Sequence, residues 1–434
     1  MMVVSSLPLV KKLILVFLLT CLVGCAGTPT SIPDEVASGQ PPPPPTEIPT
    51  PSPGEENDPL GPHILRVWVP PEFNPASGTE ASQIFLARLG EFSAIYPEVQ
   101  VEVRVKATLG PCGMLDSLSA IQAVAPEALP DLIALPRPVL ETAAARGLVF
   151  PLESNLAFQE DVDWYDFAHQ LARVENTLYG LPFACDALVL LYRVDMVGEP
   201  PRDWTTTQQT ALPLLFPIGS SQALFTLALY QAAGGSIEDA QGYPTITPAT
   251  LAAVFDFYRN SQQEGILSPG WIRFRTEEET FIAFQNREVD MTVAWVSAFW
   301  NRGAEDMAST GLPTSGGVPY TPLTGWVWAI SNPRSTHQDF SNALAQFLTE
   351  SSYLAEWTLA AGYLPPRPSA LSAWPGSPRS ALASRLVLSA ELIPSVEVLN
   401  TLGPLIQQAT VDVLNGLQTP SEAAQSVASR LGGP

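Results

Sequence analysis

From His63 onward the chain alternates between two hydrophobic periods, one of two residues and one near 3.6. Leu65, Val67 and Val69 alternate with Arg66 and Trp68, which predicts a strand. Ala81, Ile84, Phe85, Leu89, Phe92 and Ile95 then recur at helical spacing until Pro97, which cannot continue a helix. Val99, Val101, Val103 and Val105 alternate again. A helix is expected near 115–124, a buried strand over 131–135, and a further helix from Pro138 to Gly147, a residue suited to the position after a helix end. Strand, helix, strand, helix, strand implies a parallel sheet with helices on both faces. In such sheets a ligand lies beyond the carboxyl ends of the strands. That rule puts Trp68 and the loops after Ala107 and Leu135 at the working edge.

A second α/β region begins near Ala187. Residues 188–192 read as a strand, Thr247-Pro248 opens a helix through Leu251, Val254, Phe255 and Tyr258, and Thr276-x-x-Glu279 is a capping box ahead of Phe281 and Phe284. Met291, Val293 and Trp295 alternate, as do Trp326, Trp328 and Ile330. Helices are expected near 339–348, 353–360, 396–414 and 421–431. The sequence carries no internal repeat.

Composition narrows the chemistry. The formal net charge is −22, which argues against nucleic acid or an anionic membrane face as a partner. Lys11, Lys12 and Lys106 are the only lysines, so Schiff-base and P-loop chemistry have almost no residue to run on. His63, His169 and His337 stand apart, with no His-x-x-x-His or Cys-x-x-Cys spacing, and no metal or cofactor is expected. A chain of 434 residues should also divide into more than one domain.

The N-terminus reads as an address. Lys11-Lys12 precede an apolar run from Leu13 to Leu19 that is short for a membrane span, and Leu22-Val23-Gly24-Cys25 follows. These four residues resemble the bacterial lipoprotein box, which implies a signal peptide over 1–24 and lipid on Cys25. An uncleaved anchor is the alternative. Residues 26–62 are crowded with proline, including Pro41 to Pro45, and show no apolar period, so 25–62 is expected to be an extended tether. Localisation is therefore expected at the extracytoplasmic face of the bacterial membrane, held by lipid.

The order of motifs resembles the extracellular solute-binding proteins of ABC importers, in the sugar-binding cluster that includes maltose-binding protein. The resemblance covers nearly all of 63–434. Phe92-Ser93-Ala94-Ile95-Tyr96-Pro97-Glu98-Val99-Gln100-Val101 is similar to the family's F-x-x-x-Y-P-x-I-x-V, and Leu129-Pro130-Asp131-Leu132-Ile133 to its P-D-V strand. Arg146-Gly147-Leu148-Val149-Phe150-Pro151-Leu152 resembles its G-L-L-x-P-L turn, and Tyr179-Gly180-Leu181-Pro182 its Y-G-L-P. Gly362-Tyr363-Leu364-Pro365-Pro366-Arg367 is similar to its G-x-L-P-x-R. Arg193 departs from the pattern, standing where the family usually has Asn.

The resemblance implies an α/β fold of two lobes, periplasmic-binding-protein-like of type II, with a hinge and an interlobe cleft. The chain would cross between lobes near 184–186, 297 and 350. Lobe one would hold 63–184 plus 298–349, and lobe two 185–297 plus 350–434. The resemblance further implies a monomer that closes on a solute, such as a mono- or oligosaccharide, and presents it to permease subunits. A secreted carbohydrate-active enzyme and a binding lobe feeding a membrane sensor are the competing classes. No Gly-x-Ser-x-Gly elbow supports the enzyme.

Aromatic rings stack on the C–H faces of sugars, so the ten tryptophans supply candidates. Trp295, Trp326, Trp328, Tyr363 and Arg367 occupy places where the family puts cleft residues. Trp326 and Trp328 share one side of a strand, so at least one is expected in the core. Trp68, Phe183 and Asp186 complete the set, Asp186 either accepting bonds from hydroxyls, pairing with a cationic solute such as a polyamine, or serving as a solvated hinge residue. Glu277-Glu278-Glu279 reads as a helix N-terminus. Cys112 and Cys185 sit toward one strand edge of lobe one, where a disulfide is expected, with two separate thiols as the alternative.

Overall fold

The computed structural model describes residues 63–152, 158, 160–332 and 335–431, the side chains of 335–337 excepted. The expected signal peptide, Cys25 and the expected tether lie outside the described residues. No described helix is long and apolar enough to cross a membrane.

Strand β1 (His63–Val69) pairs in parallel with β2 (Val99–Val105) and β3 (Leu132–Pro136), and the helices Glu80–Ile95 and Met114–Val124 lie between them in sequence. The first helix starts where the Thr79 side chain accepts a hydrogen bond from the Ser82 amide, and it buries Phe85, Leu89 and Phe92. Complete burial of such side chains contributes about 1.5–3 kcal/mol each. Two short strands, β4 (Arg173–Val174) and β5 (Thr177–Leu178), form a separate ribbon. The chain then enters β6 (Gly180–Arg193), followed in sequence by β7 (Leu214–Leu215), β8 (Met291–Trp295), β9 (Met307–Thr310), β10 (Thr321–Ile330) and β11 (Ala390–Leu392).

All but the ribbon join one sheet in the order β2-β1-β3-β10-β6-β8-β7, with β11 beside β10 and β9 beside β6. The expected parallel pairing holds for β1, β2 and β3. Strand β10, however, runs antiparallel to both β3 and β6, so the sheet is mixed.

Strand β6 spans the sheet's two halves. Thirteen of its 14 residues are buried, which suits its near-continuous apolar sequence. Pro182 brings no N–H to the ladder, and there the register with β10 slips, Trp326 facing Ala184 and Val327 facing Pro182. A Cβ at Gly325 would stand 2.5 Å from the Ala184 carbonyl oxygen, so only glycine lets β10 come this close. Past the middle of β6 the side chains divide: Val189 and Leu191 join one hydrophobic core, Leu188 and Leu190 another.

The first core holds β1, β2, β3 and β10 with the buried residues of 353–387. The second is built from buried residues of 188–267 with Met291, Val293, Leu312 and 398–427, while Phe281, Ala283, Phe284 and Val289 join the first. The segment 350–434, expected to lie together in lobe two, therefore divides between the cores after β11. Its helix Ser351–Ala361 buries Leu354 and Trp357 in the first core, beside the helix Glu80–Ile95. The stretch 298–349, expected in lobe one, also divides, because β9 pairs with the far half of β6 and Leu312 joins the second core.

Arg193 has a structural use that explains its departure from Asn. Its side chain is only 2% exposed, its Nη1 donates to Asp306 at 2.6 Å, and its Nη2 donates to the Phe284 carbonyl. The end of β6 is thereby locked to the helix Glu277–Gln285.

Candidate functional site

A cavity of about 390 Å³ opens where the two cores meet. Its volume is within the range usual for small-molecule sites. One wall brings Glu72, on the short turn Pro71–Phe73 after β1, and Tyr363, just past the helix Ser351–Ala361. The opposite wall brings Thr276, Glu277 and Glu278 from the start of the helix Glu277–Gln285. Trp295 ends β8 on the same side, and the helix Val296–Arg302 supplies Ser297, Asn301 and Arg302. A second hollow of about 260 Å³ shares Glu72 and Asn301 and reaches Trp357.

Local sequence explains the geometry. Thr276 caps its helix by accepting the Glu279 amide at 3.2 Å, as the capping motif predicts, and this fixes where the two following carboxylates emerge. Gly362 takes the left-handed conformation (φ 80°) that ends its helix. A Cβ there would come within 2.4 Å of the Asn301 side chain, which donates to the Ala361 carbonyl at 3.0 Å. Glycine at 362 thus brings the helix Val296–Arg302 against the first wall.

Asp186 lies beneath the cavity and is 7% exposed. It accepts from the Ser297 amide at 3.0 Å and the Ser297 hydroxyl at 2.5 Å. Burial dominates over these bonds and raises its carboxyl to about 7. Asp186 is therefore a buried strut between β6 and the helix Val296–Arg302, not the solvated residue that was one expectation. Burial, then the negative fields of Asp186 and Glu72, also raises the Tyr363 hydroxyl, which keeps it a neutral donor. Arg302 grips Glu278 with both arms of its fork, at 2.6 and 2.5 Å, and that bond holds the Glu278 carboxyl below its ordinary value. Glu277 goes the other way, its carboxyl pushed up by burial.

The candidates separate into three groups. Trp295, Tyr363 and Ser297 line the cavity, with Asp186 under it. Trp68, Phe183 and Trp328 are 2–3% exposed and belong to the first core, so no solute can stack on them without unpacking it. Phe183 instead stacks on Trp328, centroids 4.6 Å apart, while the Lys106 ammonium sits 4.9 Å from the Trp68 ring. Trp326 is partly buried, edge-on to Phe73 at 4.9 Å, and is absent from the cavity lining. Arg367 is fully engaged elsewhere: it donates to Asp161 at 2.8 Å and the Thr349 carbonyl at 2.8 Å, and lies over the Trp164 ring at 3.9 Å.

The expected disulfide is not formed. Cys112 is an exposed free thiol in the loop after β2, and Cys185 is a buried free thiol in β6. Strands β1, β3 and β10 lie between β2 and β6, and four strand spacings of about 4.8 Å put the two strands roughly 19 Å apart. Burial raises the Cys185 thiol further, so it stays protonated and inert. Among the described residues no group of three or more His, Cys, Asp or Glu could hold a metal ion.

Sequence reasoning missed Glu72, Phe73, Asn301 and Arg302, and took Glu277 and Glu278 for a helix terminus only. Phe73 is the hub of the first wall, edge-on to Phe183, Trp326, Trp357 and Tyr363. The arrangement of two aromatic rings, neutral donors and carboxylates around a hollow suits holding a polar solute with apolar faces.

Comparison with known proteins agrees with this architecture. The family model described as bacterial extracellular solute-binding protein matches residues 101–379. The chain is similar in structure to a cyclic alpha-maltosyl-1,6-maltose binding protein from Arthrobacter globiformis (TM-score 0.70, 17% identity, covering 86% of this chain and 98% of that one). It is likewise similar to the sugar-binding protein MalE from Xanthomonas citri (0.67, 19%, 85% and 96%). Maltose-bound MalE3 of T. maritima gives 0.64 at 19% identity, covering 85% and 98%. At these identities the likeness establishes the fold, a two-lobed α/β architecture of the periplasmic-binding-protein type.

Proposed function

The chain belongs to the bacterial extracellular solute-binding protein family, a family of binding proteins that work outside the cytoplasm, and on that premise we propose that it captures a carbohydrate and hands it to an ABC permease. The observation that carries the carbohydrate reading is the cavity between Trp295 and Tyr363, with neutral donors Thr276 and Asn301 around it. Aromatic faces and hydroxyl-directed polar groups are the usual complement to a sugar ring. The sugar-binding neighbours in fold support the same class.

Lobe one is proposed to be 63–186 with 321–392, and lobe two 187–320 with 393–431, the boundaries falling where the packing changes along β6 and after β11. Closure is a hinge motion about β6, β10 and the segment after β11, driven by the solute's greater affinity for the closed form. A single lipid-bearing residue, Cys25, with the proline-rich segment behind it, would keep the monomer near its permease. Cys25→Ala is expected to abolish signal processing and membrane retention; unchanged fractionation would remove the anchor from the account. A thermal-shift screen over mono- and oligosaccharides, polyols and polyamines tests the solute class, because a ligand of the folded state raises the melting point. A rise with sugars supports the proposal, and a rise with polyamines alone rejects it.

A further inference from the structure

The charge around the cavity is lopsided. Glu72, Glu277 and Glu278 line it with a single cation, Arg302. That cation is committed, since both arms of its fork are on Glu278. Glu72 and Glu277 face the same hollow from opposite walls, and among the described residues neither has a cationic partner. The N-terminus of the helix Glu277–Gln285 supplies about half a positive charge at most, which offsets less than one of the two.

We propose that the solute is a carbohydrate bearing a protonated amine, its ammonium seated between Glu72 and Glu277 and its ring against Trp295 and Tyr363. This rests on the carbohydrate reading above and names the class of sugar. An ammonium donates to carboxylates in charge-assisted bonds roughly twice as strong as neutral ones. A uronate or other anionic sugar would instead be placed beside two like charges, which strongly disfavours it. The whole chain acts in the same sense, because a net charge of −22 concentrates cationic solutes and repels anionic ones.

The state of Glu277 supports the assignment. Burial holds its carboxyl above the ordinary value with no cation to counter it. The groups around it are Glu72, Glu278, Arg302 and Tyr363 within the cavity, and the uncharged Gln407 and Thr410 behind it. An arriving ammonium would draw that carboxyl back down, an effect that a neutral sugar cannot have.

The test is calorimetric titration of the mature protein with matched sets: glucosamine, N-acetylglucosamine, glucose and glucuronate, each as monomer and as α- and β-1,4-linked dimer and trimer. The amine member of a set is expected to bind at least about tenfold more tightly than its acetylated or hydroxyl counterpart, a ratio worth about 1.4 kcal/mol. The uronates should be silent. Glu277→Gln and Glu72→Gln, checked by melting temperature, should each shrink the amine-to-neutral ratio. Neutral sugars binding as tightly as amines, or uronates binding at all, would overturn the amine while leaving the carbohydrate reading intact. Silence across every set would overturn the carbohydrate reading and the amine with it.

Discussion

The two walls of the cleft use their aromatic residues in opposite ways. On the first wall Phe73 packs edge-on against four rings, and Phe183 and Trp328 stack beneath it, so nearly all that aromatic surface is consumed by the protein itself. On the second wall Trp295 stands at a strand end, partly exposed, with Glu277 and Glu278 lining the same hollow. Abundance of tryptophan is thus a poor guide to a binding site. Unspent ring surface next to unpaired polar groups is a better one.

The contrast can be broken most forcefully at Phe73. Phe73→Ala should cost about 3–5 kcal/mol of stability, because four rings lose a partner and a cavity remains. Equilibrium denaturation measures this, and a loss below about 1 kcal/mol would show that the first wall is not held by its aromatic packing.

Asp186 ties the walls together, and its effect depends on pH. An unfolded Asp ionises near 3.9. Folded Asp186 keeps its proton to about 7, so between those values the folded state binds more protons. Its contribution is fully present below about pH 4 and is lost as pH rises through 7, an effect of order 4 kcal/mol at most. The stability of the wild type should fall over that window relative to Asp186→Asn. Parallel pH profiles for the two proteins would contradict the burial of this carboxyl.

The two committed arginines give the next comparison. Removing Arg367 leaves Asp161 and Asp163 facing each other without a cation, and Arg367→Ala should cost about 1.5–3 kcal/mol. Burial opposes ionising Asp161, yet the Asp163 amide and Arg367 together hold its carboxyl below the ordinary value, and the Arg367 share of that lowering should be lost in the variant. Arg302→Ala removes a more exposed pair and should cost under about 1 kcal/mol. Thermal denaturation of both variants orders them, and equal losses would erase the distinction between a bracing arginine and a cleft arginine.

Much of the frame was legible in the residues. The valines of 99–105, the stop at Pro97 and the Thr276 cap all report local geometry, and each appears where the pattern put it. Trp295 was legible too, as an aromatic at the end of an alternating strand. Glu72 and Phe73 were not, because they sit in a proline-bounded turn with no period to reveal which way it faces. Arg367 was misjudged because its partners, Asp161 and Asp163, lie more than 200 positions away. The division of 350–434 was hidden for a similar reason: both parts are amphipathic helices, and nothing local says which core each one covers. Cys112 and Cys185 share an edge in sequence logic, and that β1, β3 and β10 intervene shows only once the strand order is known.

The central claim is that the solute lies against Trp295 in the hollow between the cores. It is tested most directly by titrating the wild type and Trp295→Ala with the tightest-binding sugar of the screen, following heat and melting temperature together. The account expects affinity to fall about tenfold or more, in line with losing about 1.4 kcal/mol of ring contact, with the melting temperature of the free protein nearly unchanged. Equal affinity in the two proteins would place the solute elsewhere and contradict the site described here.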